Sequence, residues 1–163
     1  MSKLYVNEVH SKTGSTKALD INSNGIVRFP KRPIFSVELS SSLSITSNGE
    51  YFPAYTVIKH DTNGDYNSSN GKFTAPVDGV YYFWHHHRFD NVGSGYIQAQ
   101  LWMNNTTAVH RSIEGSPASS YQAVNGMYTL PLVVGDTIQI RFNVSADTSY
   151  QVNNSSFGGH LLD

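Results

Sequence analysis

The sequence predicts an all-β fold, a sandwich or barrel of short strands. Segments in which apolar and polar residues alternate recur about every 8–12 residues, each closed by turn chemistry such as Asn-Gly or Gly-Asp. Composition agrees: Ser, Asn, Thr, Gly and Tyr dominate, charged residues make up 14% of the chain, and strong helix formers are scarce. At 163 residues, one domain with a tail accounts for the length and can bury a full core.

Residues 1–33 read as an extended N-terminal β arm. KLYVNEV (3–9) alternates like a strand, and ALDI (18–21) and IVRF (26–29) read as two short strands around a turn whose Asn24-Gly25 suits positive φ. PKRP (30–33) cannot continue a paired strand, because two of its residues lack an N–H, so it bounds the arm. The body, 34–163, then gives IFSVEL, SLSIT and YFPAYTVI as strands, KHDTNGDYNSSNG (59–71) as a turn, and KFTAP, VYYFWHHHRF (80–89), YIQAQLWM (96–103), AVHRSI (108–113), YQAVNGMYTLPLV (121–133), TIQIRFNV (137–144) and SFGGHLL (156–162) as further strands. Roughly eight to ten strands are visible, with no helix.

Charge is uneven. Residues 1–32 carry six basic residues against Glu8 and Asp20, a balance of +4, while the remainder carries −5, for a net −1. The arm has no dense Lys/Arg block and its only aromatics are Tyr5 and Phe29, so no nucleic-acid partner is expected; an acidic protein surface fits better. The chain has no cysteine, which excludes disulfide scaffolds and thiolate metal sites. No signal-like apolar run opens it and no eighteen apolar residues run together, so neither secretion nor membrane insertion is expected.

Through the spacing of Tyr55, Asp61, Tyr66, Phe73, Gly79, Tyr81 and Phe83, the Gly135-Asp136 turn and the closing SFGGHLL, the body resembles the globular head of complement subcomponent q, a jelly roll of the tumour necrosis factor type. That family's signature spaces an aromatic, an Asn or Asp, two further aromatics and then G-x-Y-x-F; here Tyr55, Asp61, Tyr66, Phe73, Gly79, Tyr81 and Phe83 fall at those intervals. LPLVVGDTIQI matches its Gly-Asp turn at Gly135 and Asp136, and SFGGHLL its closing strand at Phe157, Gly159, Leu161 and Leu162. Tyr55 stands where Phe is usual, and His85 where the signature has a further aromatic. The collagen-like stalk that often precedes such heads is missing. In its place L-Y-V-x-E-V, followed by A-L-x-I-x-S-x-G-x-V, looks like the openings of structural proteins from tailed bacteriophages.

Three consecutive histidines, His85, His86 and His87, look like a metal site. Strand alternation puts Tyr81, Phe83, His85 and His87 on one face and Tyr82, Trp84 and His86 on the other, so the three cannot converge on one ion. A structural zinc needs four ligands, and no metal or other cofactor is expected. The resemblance implies instead that this strand lies in the inner sheet of a homotrimer: Tyr81 and Phe83 in the core, and Tyr82, Trp84 and His86 at the threefold seam, with Met127 and His160 beside them from flanking strands. A ring of His86 on the axis could bind an anion or a metal, or loosen the trimer on protonation. The alternative is a monomer in which Tyr82 and Trp84 cover a loop.

DTNGDYN (61–67) begins like a calcium loop, but Tyr66 and Lys72 stand where an EF-hand needs Gly and Glu, and a turn is expected. No G-x-S-x-G, Walker or H-E-x-x-H pattern occurs, and an enzyme is not expected. These expectations converge on a phage virion structural protein made in the host cytoplasm: a trimeric knob whose arm, through Leu4, Tyr5, Val6, Arg28 and Phe29, grips the major capsid or another virion protein as a decoration or cement protein. The alternative is the receptor-binding tip of a tail or head fibre, reading host glycan or protein through loops 61–72, 91–95, 114–120 and 145–154. A third is a free soluble ligand-binding head.

Overall fold

The computed structural model describes residues 6–45, 48–92, 95–116, 119–146 and 150–163. Strands β1 (Glu8–His10), β2 (Lys17–Ile21) and β3 (Val27–Arg28) form a small antiparallel sheet in that order. The Asn22 side-chain oxygen accepts the backbone N–H groups of Asn24 (3.0 Å) and Ile26 (2.9 Å), and Gly25 takes φ 76° in the turn from β2 to β3. Of the alternating stretch 3–9, residues 3–5 lie outside the described residues, and β1 takes in Glu8 and Val9. Its register follows its partner β2, with Lys17 bridging Glu8 at 2.6 Å.

The rest is a sandwich: β4 (Ile34–Glu38), β5 (Leu43–Ile45), β6 (Gly49–Tyr51), β7 (Val57–Asp61), β8 (Tyr66–Asn67), β9 (Lys72–Thr74), β10 (Gly79–Val92), β11 (Gly95–Met103), β12 (Thr107–Ser116), β13 (Ser119–Leu132), β14 (Thr137–Ala146) and β15 (Tyr150–Leu161). One sheet runs β13-β10-β15-β4-β7 with β5 also on β15; the other runs β12-β11-β14-β9-β8 with β6 also on β14. Every pairing is antiparallel, and sequence neighbours mostly lie in opposite sheets or apart, which is jelly-roll wiring. The described residues contain no helix.

Two segments depart from the sequence pattern. YFPAYTVI is not one strand, because Pro53 offers no ladder donor and the N–H of Tyr55 goes to the Tyr66 hydroxyl (3.0 Å); β6 ends at Tyr51 and β7 begins at Val57. Conversely, β7 runs on through Lys59–Asp61, and β15 begins at Tyr150, inside segments whose polarity predicts turns.

Alternation builds the core. Ile97, Ala99 and Leu101 on β11 and Ile138, Ile140, Phe142 and Val144 on β14 meet Tyr81, Phe83 and Phe89 on β10 between the sheets. The ring of Phe35 stacks on Phe73 (4.7 Å) and Tyr66 (5.5 Å) and meets Phe157 edge-on (5.0 Å). The spaced aromatics of the sequence are thus one packed cluster. Gly79, where β10 enters, has no room for a Cβ, which would stand 2.5 Å from the Asp163 carbonyl oxygen.

Asp61 closes its own turn. Its Oδ1 accepts the N–H groups of Gly64 and Asp65 and its Oδ2 that of Tyr66, all at 3.0 Å. The calcium-like spacing is thereby an Asx cap in which both oxygens are engaged.

Candidate functional site

Strand β10 is central in its sheet, between β13 and β15, and divides its side chains as alternation requires. Tyr81, Phe83, His85, His87 and Phe89 are buried between the sheets, while Tyr82 and Trp84 are half-buried and His86 is exposed on the outer face. The register sets Tyr82 beside Thr129 and His160, Trp84 beside Met127 and Gly158, and His86 beside Asn125 and Ser156. The five seam residues inferred from the resemblance therefore occupy one continuous surface.

That surface is graded. Near the chain entry it is apolar and aromatic: the Tyr82 and His160 rings lie 5.4 Å apart, Ile34 stands beside His160, and Met127 is 70% exposed next to Trp84. Midway, His86 hydrogen-bonds Asn125 through its Nδ1. Farther on, Arg88 donates to Asp90 at 2.7 Å, Asn153 donates to the other Asp90 oxygen at 2.6 Å, and the Arg88 guanidinium sits 5.1 Å from the Tyr121 ring centre. A bare methionine beside an indole, with Tyr82 and Ile34 farther across the same face, is the sort of patch that a partner covers. Ile34, Asn125 and Tyr121 were not singled out from sequence; extending strand parity from β10 to its neighbours would have found them.

The inward histidines do different work. His85 and His87 stack at 4.9 Å, and His87 approaches the Tyr55 hydroxyl at 3.4 Å and meets Phe142 edge-on. Both nitrogens of His85 and Nε2 of His87 are buried without a protein partner. Burial pushes the His85 imidazole down to about 4 and holds His87 well below the usual histidine range, with the neighbouring imidazoles adding to both shifts. They are neutral core groups that fill space, His85 at the position where the signature has a further aromatic. Among the described residues no group of three or more His, Asp or Glu side chains is placed to hold a metal.

Of the expected gripping residues, Leu4 and Tyr5 lie outside the described residues. Val6 is half-buried, Arg28 is exposed, and Phe29 is 50% exposed with the Arg32 guanidinium 4.8 Å from its ring centre. Phe29 lines a groove with Ala18, Pro33, Val77 and Leu161, where the small sheet meets the sandwich. Of the expected recognition loops, 61–72 is fully described; the tips 93–94, 117–118 and 147–149 lie outside the described residues.

With this geometry in place, comparison with known proteins decides the family. The C1q domain matches residues 34–162. The chain belongs to the C1q domain family. One of the polypeptides of the rat (Rattus norvegicus) complement C1q subcomponent is 33% identical over 129 residues, 75% of this chain and 50% of that protein. The chain thus spans about half the length of that curated relative. Among solved structures, the globular domain of zebrafish complement 1qA protein superposes with a TM-score of 0.60 at 22% identity, covering 80% of this chain and 98% of that one. Murine APRIL at pH 5.0 gives 0.62 at 13% identity, covering 81% and 100%. These likenesses show the jelly roll shared by C1q domains and tumour necrosis factors.

Proposed function

We propose that this C1q domain forms a homotrimer through the outer face of the β10 sheet and that residues 1–33 mount the trimer on a phage virion as a capsid decoration or cement protein. The observation that carries the assembly is the exposed apolar end of that face, with Met127, Trp84, Tyr82 and Ile34 on a sheet whose other side is already the core. Burying it stabilises association at roughly 25 cal/mol per Å². Domains of the C1q and tumour necrosis factor type typically form homotrimers, and cyclic closure leaves no open interface.

The mounting half rests on the first 33 residues. Their small sheet pairs only with itself among the described residues, carries a basic surplus, and exposes Phe29, Ile26 and Val27. Three such segments on one knob multiply a weak contact into a strong one. Deleting residues 1–33 tests this: the knob should stay trimeric yet vanish from purified particles. Knobs that still decorate would defeat the anchoring role. Particles assembled without the protein should lose heat resistance but keep host adsorption; lost adsorption would favour the fibre-tip role, for which a groove beside Phe52 and Trp102 is the specific support.

A further inference from the structure

The sandwich face opposite the proposed seam carries a second site. On the outer side of the β14 sheet, Trp102, Gln139 and Lys72 stand side by side on β11, β14 and β9. With Phe52, Asn70 and Asn105 they line a groove of about 390 Å³, within the range of small-ligand sites.

The loops that frame it are fixed. Gly71, at φ 73°, packs so closely on Pro53 that a Cβ would stand 2.5 Å from the proline carbonyl oxygen, which ties the Asn70 turn to the segment bearing Phe52. Asn104 and Asn105 take φ 51° and 58° in the tight turn from β11 to β12, and the Asn105 side-chain oxygen accepts from Gln139 at 3.3 Å. The side-chain N–H groups of Asn70 and Asn105 have no protein acceptor among the described residues.

Three features specify a ligand. Phe52 is 47% exposed, an apolar plate at the rim, whereas Trp102 has the Arg141 guanidinium 3.9 Å from its ring centre, so Phe52 is the freer platform. The Asn70 oxygen is held by the Lys72 backbone N–H at 3.1 Å and the Asn105 oxygen by Gln139, which leaves the amide N–H groups of Asn70 and Asn105 as the donors for sugar hydroxyls. Lys72 forms no ion pair among the described residues, no carboxylate lines the groove, and nearby Glu50 is held by Arg141 at 2.5 Å. We propose that this groove binds a carboxylated pyranose sugar, its C–H face on Phe52, its hydroxyls on the amides and its carboxylate on Lys72. The site lies on the far side of the sandwich from the seam, so it stands or falls apart from trimerisation. It deepens the glycan-recognition role of the alternative reading.

The test is calorimetric titration of the full chain with hyaluronan tetrasaccharide, trigalacturonate and α2,8-linked disialic acid, each against its carboxyl-reduced form. The Trp102 indole N–H resonance serves as a second readout. Saturable binding of at least one acidic sugar is expected, weakened about fivefold by carboxyl reduction and equally by Lys72→Gln, and lost in Phe52→Ala. Both side chains lie at the surface, so native sedimentation should show the variants folded and assembled as the wild type is. Failure of all three sugars to bind, equal affinity for the reduced forms, or unchanged binding by Phe52→Ala would overturn the proposal. Loss of binding with the trimer intact separates this site from the seam.

Discussion

The indole of Trp84 lies directly over Gly158 on the neighbouring strand: a Cβ on that glycine would stand 2.5 Å from the indole Cζ2 and 2.6 Å from Cε2. Gly158 thus lets the largest side chain of the outer face lie low against its sheet, keeping the face closely packed where a partner would seat. The same strand repeats the device inward at Gly159, whose Cβ would meet the Phe83 ring at 2.5 Å.

Gly158→Ala should therefore lift the indole and strain the strand, because the new methyl would also stand 2.9 Å from the Phe35 carbonyl oxygen. A cost of about 1–3 kcal/mol is expected in urea unfolding, with trimers dissociating at higher protein concentration than wild type in sedimentation. Unchanged assembly would show that the indole's position does not matter to the seam.

Acid should destabilise the fold through the inward imidazoles. His85 is neutral in the fold down to about pH 4, whereas the unfolded chain takes up that proton near 6.5. Its contribution is full above about 6.5 and is lost as pH falls toward 4, a loss of roughly 3 kcal/mol for this group. His87 adds to it in the same direction. His85→Leu, which removes two unpartnered buried nitrogens, should raise stability at pH 7.5 by about 1–2 kcal/mol and flatten the fall between pH 6.5 and 4.5. Urea melts at pH 7.5, 6.5 and 4.5 decide; an equal fall in the variant would place the acid sensitivity elsewhere.

Asp61→Ala should remove the three hydrogen bonds that close the 61–66 turn and cost about 2 kcal/mol. Because both carboxylate oxygens already accept backbone N–H groups, millimolar calcium should leave the wild-type melting temperature unchanged. A calcium-dependent rise that disappears in Asp61→Ala would reinstate a metal at this loop.

The long strands were legible because they are buried on the core side along their length, which keeps the two-residue alternation clean, as in IQAQL and TIQIRFNV. The spaced aromatics were legible as a signature because they are a single cluster around Phe35. YFPAYTVI misled because Pro53 and the Tyr55–Tyr66 bond interrupt pairing without disturbing the apolar pattern. The beginning of β15 misled because it is a strand made of polar residues that packs through Val152 alone among its described side chains before Ser155. At the site, parity along β10 placed Tyr82, Trp84 and His86 on one face, while the Phe52–Trp102 groove could not be read, since its residues come from four separate segments.

The most direct test of the central claim is the native mass of the full chain by sedimentation equilibrium near neutral pH. Each chain weighs 18.0 kDa. The account predicts a species of three chains that splits on Met127→Asp with its fold intact. A wild-type protein that stays folded and soluble as a single 18.0 kDa chain would contradict it.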